Sequence, residues 1–270
     1  MINEIQAWFQ NYTASFNTNN PRDNRNFELK FEHCLRVSDI AGDIAFHEGF
    51  SKHDYQLSRV IGLLHDIGRF EQYRQFQTFA DHKSIDHGQL GVTVLQNASM
   101  LKVMNQDEQE LIIKSISHHN RAALPTDESD QTLMFIKLIR DADKLDIFDL
   151  SYAYFKTRTE ENKNTTLELH VHSGDTVSDK IFEQIMDGSL ARMEDIETLN
   201  DFKTLQMGWI FDINFRRTYE LIAAHQALEK LRSTIPDGNA RVDMIYKKTR
   251  SFLNKKLLSG SRPSAVLPVA

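Results

Sequence analysis

The sequence holds one cysteine, Cys34, among 270 residues. No internal disulfide can form, and a structural zinc site built on several thiolates has nothing to work with. Prolines number five and glycines eleven, which favours long helices over many short strands. Long apolar runs are missing: the longest, around Leu133 to Ile139, is interrupted by Lys137 and is too short to span a bilayer. No basic tract stands out, and the formal net charge is -6 with a pI near 6.0, so neither a nucleic-acid backbone nor a membrane is an expected partner. Met1-Ile2-Asn3-Glu4-Ile5 carries an early acid and lacks the basic and apolar regions of a signal peptide. With the lone cysteine, this predicts a cytoplasmic location. Neither repeats nor low-complexity tracts occur, and a composition 40% hydrophobic and 26% charged is that of a chain with enough apolar material for a core.

What is present is helical periodicity. Ile2, Ile5, Phe9, Tyr12 and Phe16 mark a first amphipathic helix, followed by a polar loop at Asn17 to Arg25. A second helix is predicted over Leu29 to Glu48. Ser51 caps a third, with Leu57, Val60, Ile61 and Leu64 as its buried stripe and Gly68 as its stop, so that His65 and Asp66 fall in its last turn. Arg69 to Ser84 shows no clean period and reads as an irregular segment whose aromatics, Phe70, Tyr73, Phe76 and Phe79, either line a pocket or pack. Asp86 caps a fourth helix, Asp107 and Glu108 open a fifth, and a sixth, about Gln131 to Leu150, begins apolar nearly all round and then turns acidic. Leu167 to Ser173 alternates as a short strand would, and His170 and His172 within it have a metal-compatible spacing but no third partner. Helices resume near Ser178. A long one is predicted from Trp209 to about Leu231 and a last one from Val242.

Against these helices stand polar residues on apolar faces: His33, His65, Asp66, His87, His118 and Asp143. A single histidine on such a face is ordinarily a satisfied core residue. Burying six imidazoles and carboxylates without strong partners would cost several kcal/mol in sum, roughly, and metal ions would satisfy all of them together. The nitrogen and oxygen donors suit Zn, Fe, Mn, Co or Ni. His65 and Asp66 at a helix end can point into one cavity, the carboxylate bridging two ions about 3.5–4 Å apart. His118 and His119 diverge by about 100° on one helix, and His118 is the expected ligand, with His119 as a further contact. Cys34, similarly rotated from His33, reads as a buried inert thiol.

The strings His65-Asp66-Ile67-Gly68-Arg69 and Ala142-Asp143-Lys144-Leu145, with His33 before them, resemble the HD superfamily of metal-dependent phosphohydrolases. His87-Gly88-Gln89-Leu90-Gly91 and His118-His119 are similar to the extra histidines of its two-metal branch, which includes the HD-GYP phosphodiesterases and the diadenosine tetraphosphate hydrolases. After the double histidine, Asn120-Arg121-Ala122-Ala123-Leu124-Pro125 lacks the Gly-Tyr-Pro string, which argues against a cyclic dinucleotide substrate. The resemblance implies an all-α, HD-domain-like helical bundle over residues 27–150. Residues 1–26 would form an N-terminal helix and loop, 151–258 a helical C-terminal extension and 259–270 a flexible tail. It implies two divalent ions, iron or manganese ahead of zinc, cobalt, nickel or magnesium. His33, His65, Asp66 and Asp143 would hold one, and Asp66, His87 and His118 the other. The ADKL string selects Asp143 over Asp141, which would cap or pair. Asp66, Arg69 and Lys144 would carry the chemistry, Arg69 as phosphate clamp with Lys144 and Arg74 as weaker ones. Water on the metals would ionise near neutral pH and attack phosphorus.

The implied activity is hydrolysis of a phosphate ester or anhydride of a nucleotide or related small molecule. Two alternatives share the same residues: a mixed-valent di-iron oxygenase, and a nucleotide-sensing module without turnover, for which a degraded ligand set would be the sign. No chemical motif follows Ser151, so the extension is expected to buttress, lid or dimerise.

Overall fold

A computed structural model describes residues 2–169 and 171–259. Twelve α-helices appear among them: α1 (Ile2–Ala14), α2 (Pro21–His47), α3 (Lys52–Leu64), α4 (Gly68–Phe76), α5 (His87–Ala98), α6 (Gln106–His118), α7 (Asp130–Thr157), α8 (Asp179–Asp187), α9 (Leu199–Gly208), α10 (Arg216–Ala224), α11 (Ala227–Ser233) and α12 (Ala240–Leu258). The fold is all-α, as the periodicity predicts. Sequence dictates the helix starts. Asn20 caps α2 with Pro21 at its first position, Ser51 caps α3 and Asp86 caps α5. Asn105 and Glu108 make a reciprocal capping box on α6. Each such cap is worth about 1 kcal/mol.

Two apolar clusters organise the packing. The first joins α1 through α7, from Ile5 to Ala142, and includes a nest of rings, Phe9, Phe16, Phe27, Phe70 and Tyr73. The second runs from Leu145 to Leu253 and gathers α8 through α12. Helix α7 belongs to both: Phe135, Leu138 and Ile139 enter the first cluster, Leu145 and Phe148 the second. Within the first, α2 lies against α3 and α7, while α4, α5, α6 and α7 pack in succession. Two glycines permit the closest approaches. A Cβ on Gly62 would stand 2.7 Å from the Ser38 Cα, and one on Gly68 2.2 Å from the His87 carbonyl oxygen. Only a residue without a side chain fits at either contact.

Four expectations are corrected. Helix α3 ends at Leu64, and Gly68 starts α4 instead of ending α3; His65 to Ile67 form the turn between them. The stretch expected to be irregular from Arg69 is helical to Phe76, its few buried positions being Gly68, Phe70, Gln72 and Tyr73, so that no apolar stripe announces it. Phe70, Tyr73 and Phe79 are buried in the first core, with the Phe79 ring beneath the Lys30 ammonium. The described residues between Leu167 and Ser173 form no strand: His172 makes one isolated bridge to Thr198, and Leu169 has φ +51°, a region disfavoured for a branched side chain. His170 lies outside the described residues. The long helix expected from Trp209 is broken into a 3-10 turn (Trp209–Asp212), an extended link at Ile213 and Phe215, then α10 and α11. The link's Asn214 and Phe215 N–H groups donate to the buried Asp141 carboxylate rather than to a helix (2.9–3.1 Å). Of the expected tail, all beyond Ser259 lies outside the described residues. No helix among the described residues is long and apolar enough to cross a membrane.

Candidate metal centre

Four imidazoles converge from four places in the chain, and each is oriented by what its Nδ1 does. His33, in the middle of α2, has Nδ1 2.6 Å from Asp146 Oδ2, and His87, first residue of α5, has Nδ1 2.7 Å from Asp81 Oδ2. His65 and His119 occupy equivalent positions at the C-caps of α3 and α6. Each donates Nδ1–H to the carbonyl three residues back, Gly62 at 2.8 Å and Ile116 at 2.7 Å, using acceptors left over at the helix end. With every Nδ1 proton committed outward, all four Nε2 atoms present lone pairs inward. They meet in pairs: His33 and His65 at 3.2 Å, His87 and His119 at 2.9 Å.

The carboxylates complete two halves. Asp143 Oδ1 lies 3.1 Å from His33 Nε2 and 3.7 Å from His65 Nε2. Asp66 faces both halves: Oδ2 is 3.5 Å from His33 and 3.8 Å from His65, while Oδ1 is 3.2 Å from His87 and 3.7 Å from His119. Facing lone pairs at such separations repel unless positive charge sits among them. Neutral nitrogen donors with carboxylate oxygens, each buttressed from behind, are what a divalent ion takes up. His33, His65 and Asp143 form one such group, and His65, Asp66 and His119 another. The residues fit the ion.

Charge around the centre is arranged to keep the carboxylates ionised. Burial alone raises Asp66, but Lys30, His65 and Arg69 more than offset it and hold the carboxyl well below the usual range. Burial likewise raises Asp143, and the neighbouring imidazoles of His33 and His65 more than offset it and hold the carboxyl well below the usual range. Asp146 and Asp81 follow the same pattern, lowered by His33 with Arg36, and by His87 with Arg69. For His33, burial and Lys30 lower its affinity for a proton, and the adjacent carboxylates of Asp143 and Asp146 reverse the balance upward. The four imidazoles and Asp66 are buried, whereas the Asp143 side chain is 28% exposed, so the centre opens to solvent at Asp143.

A family model for the HD domain matches residues 31–147. This stretch is an HD domain. No curated protein and no solved structure matches the chain. HD domains bind divalent metals and belong to a superfamily of metal-dependent hydrolases, and the histidine and aspartate groups of this one lie within the matched residues.

The HD domain brings together His33, His65, Asp66, His87 and Asp143 of the expected set. It does not bring His118, the last residue of α6: the neighbouring His119 is the one rotated inward, because its C-cap position lets Nδ1 close on Ile116. Asp141 faces the opposite way, receiving Asn214 and Phe215, and burial pushes its carboxyl up to about 6. Arg69 borders the centre, with Nε 3.4 Å from Asp66 Oδ1, but its Nη1 is taken by Gln72, Phe79 and Asp81; it props the Asp66 and Asp81 carboxylates and is not free to clamp a phosphate through that nitrogen. Lys144 and Arg140 share Asp212, each at 2.6 Å. Arg74 is a surface partner of Glu71, away from the centre. Three residues were not expected from sequence. Lys30, one turn before His33, places Nζ 2.7 Å from Asp66 Oδ2; Asp146, one turn after Asp143, backs His33; Asp81 backs His87. The i, i+3 spacing could have found the first two. Nothing local marks Asp81.

Proposed function

We propose that this protein is a metal-dependent phosphohydrolase acting on a phosphorylated small molecule, a nucleotide or a compound of similar size, with two divalent ions, iron or manganese, in the HD centre. The observation that carries this reading is the four inward Nε2 atoms set in two halves about the two oxygens of Asp66. Divalent ions there would supply Lewis acidity and a water ionised near neutral pH. His33, His65 and Asp143 would hold one ion and His87 and His119 the other, with Asp66 between them. Asp146 and Asp81 keep His33 and His87 in the ligating tautomer. Lys30 is buried beside the centre with an ammonium that has one hydrogen bond, to Asp66. It is the cation best placed to meet phosphoryl oxygens once an ion takes the Asp66 charge. The exposed edge of Asp143 marks the side from which substrate enters.

The test is metal analysis of the purified protein, then a panel of phosphate esters and nucleotides with Mn, Fe, Mg and Ni. Phosphate release that is metal-dependent, independent of oxygen and lost in Asp66→Ala is expected. Full turnover by Asp66→Ala would reject the proposal.

A further inference from the structure

The open edge of the metal centre does not stop at Asp143. Ile147, Leu150 and Tyr154 follow Asp143 on α7 at helical spacing and lie within about 40° of it around the axis, so the face that meets solvent at the centre continues along the helix as one strip. All four residues are half-buried. Leu145, Phe148 and Phe155, on the other side of α7, are buried in the second cluster and in a small third one made with Leu199 and Phe202. Ile147 and Leu150 join none of the clusters formed by the described residues. An isolated half-exposed aliphatic residue is ordinary. Two of them in line with the open edge of a metal centre form an apolar wall of the kind that small-molecule sites present beside a few polar groups.

The strip is bounded at both ends. It begins at Asp143, which faces His33 of α2 at 3.1 Å. It ends where the chain after α7 folds back. There the Tyr154 hydroxyl donates to Glu168 and accepts the Asn164 backbone N–H at 2.8 Å, and the Asn164 side chain donates to Asn26 Oδ1 at 3.1 Å. Asn26 lies one turn before Lys30 on the same face of α2. The returning segment therefore ties α2 to α7 beyond the metal centre, and Arg158 Nε, 2.7 Å from Glu168, braces it. From Asp143 to Leu150 the strip runs about 10 Å along the helix, and a polar group of tyrosine, glutamate and asparagine closes its far end.

We infer that Ile147 and Leu150 are specificity-determining residues: they receive an apolar body carried on the phosphate, about two helical turns long, and so select such substrates over small polar phosphoesters. This names a substrate class for the phosphohydrolase reading and rests on it. Two non-hydrolysable probes, methylphosphonate and biphenyl-4-ylphosphonate, share the phosphonate and differ in the body. Each is titrated calorimetrically into the manganese-loaded full chain as wild type, Ile147→Gln, Leu150→Gln, Leu150→Met and Met244→Gln. Met244 is an exposed apolar residue of α12, away from the strip, and serves as the control. Thermal melts check that each variant keeps its fold. Wild type should bind the biphenyl probe at least about tenfold tighter than methylphosphonate. Ile147→Gln and Leu150→Gln should each weaken the biphenyl probe by roughly fivefold to tenfold and change methylphosphonate less than about twofold, while Leu150→Met and Met244→Gln should match wild type. Equal affinity of wild type for the two probes, an equal loss for both, no loss in a folded glutamine variant, or the same loss in Met244→Gln overturns the role of the strip and leaves the phosphate reading standing. Failure of methylphosphonate to bind any of the five proteins while manganese does bind overturns the phosphate reading with it. Should the glutamine variants melt well below wild type, the two residues serve packing and the inference falls.

Discussion

Asp81→Asn tests the two-half organisation most directly. Four donors converge on the Asp81 carboxylate. Oδ2 takes His87 Nδ1 at 2.7 Å and Asn120 Nδ2 at 3.1 Å; Oδ1 takes Arg69 Nη1 at 2.8 Å and Gln72 Nε2 at 2.9 Å. An asparagine keeps one acceptor. Turned with its NH2 toward His87, it forces the imidazole proton onto Nε2, where it blocks a metal. Turned the other way, it presents NH2 to Arg69 and Gln72 and removes the charge that balances a buried guanidinium. Removing the carboxylate behind a ligating histidine costs roughly 10–100-fold in metal affinity, about 1.4–2.7 kcal/mol. Manganese titrated into chelator-stripped protein should therefore bind in two classes. The ion of the His33, His65 and Asp143 half should keep its affinity, and that of the His87 and His119 half should weaken by that factor. Asp86→Asn is the control: Asp86 caps α5 through Gln89 N and touches Asn120 but makes no hydrogen bond to the His87 ring, and asparagine caps equally well. Wild-type affinity at both sites in Asp81→Asn, or an equal loss in Asp86→Asn, would refute the reasoning.

Three further outcomes follow from contacts already described. Gly68→Ala places a methyl 2.2 Å from the His87 carbonyl and 2.6 Å from Gly91 N; separation of α4 from α5 should cost about 1–3 kcal/mol in urea denaturation and lower metal content together. Lys30→Met leaves Asp66 ionised and buried without its ammonium, so the metal-free protein should lose about 3 kcal/mol, while the rise in melting temperature on adding manganese should exceed that of wild type. Lys203 is buried over the Phe155 ring with one hydrogen bond to the Thr234 carbonyl, and burial lowers its pKa from 10.5 to about 8. A lysine lowered on folding costs stability below its folded pKa, and the cost fades as pH rises from about 8 to above 10.5. Its ceiling is about 3 kcal/mol, reduced by the cation–π contact. Lys203→Met should raise the urea midpoint at pH 7, and the difference from wild type should shrink by pH 10; an unchanged difference would contradict the burial argument.

The helices of the metal-binding lobe were legible where an apolar stripe and a capping residue coincide, as at Ser51 with Leu57, Val60 and Ile61. They were illegible where packing replaces periodicity. Helix α4 exists because Gly68 lets its first turn press on α5, and α9 is buried all round although its sequence, Asn200, Asp201, Lys203, Thr204 and Gln206, reads as polar. In the centre itself, residues on apolar faces were found because buried imidazoles are conspicuous. Choosing between His118 and His119 required the exact end of α6, since one residue turns the ring by about 100°. Asp81 could not be found, because its contact with His87 comes from the irregular stretch after α4. Nor could the pairing of Lys144 with Asp212, which spans 68 positions of sequence.

Helix α7 gives the molecule a mechanical unity that its sequence similarity does not suggest. The family match stops at residue 147, yet α7 runs to Thr157, with Asp143 between Ile139 of one core and Leu145 of the other. Energy released when an ion is captured at Asp143 is therefore delivered to a rod clamped at both ends. Hydrogen exchange should report it as slowed opening in α9 and α12 as well as in α2 and α3, and chelation should loosen all four at once. A fragment cut at the end of the match would leave Leu145 bare and the rod clamped at one end only.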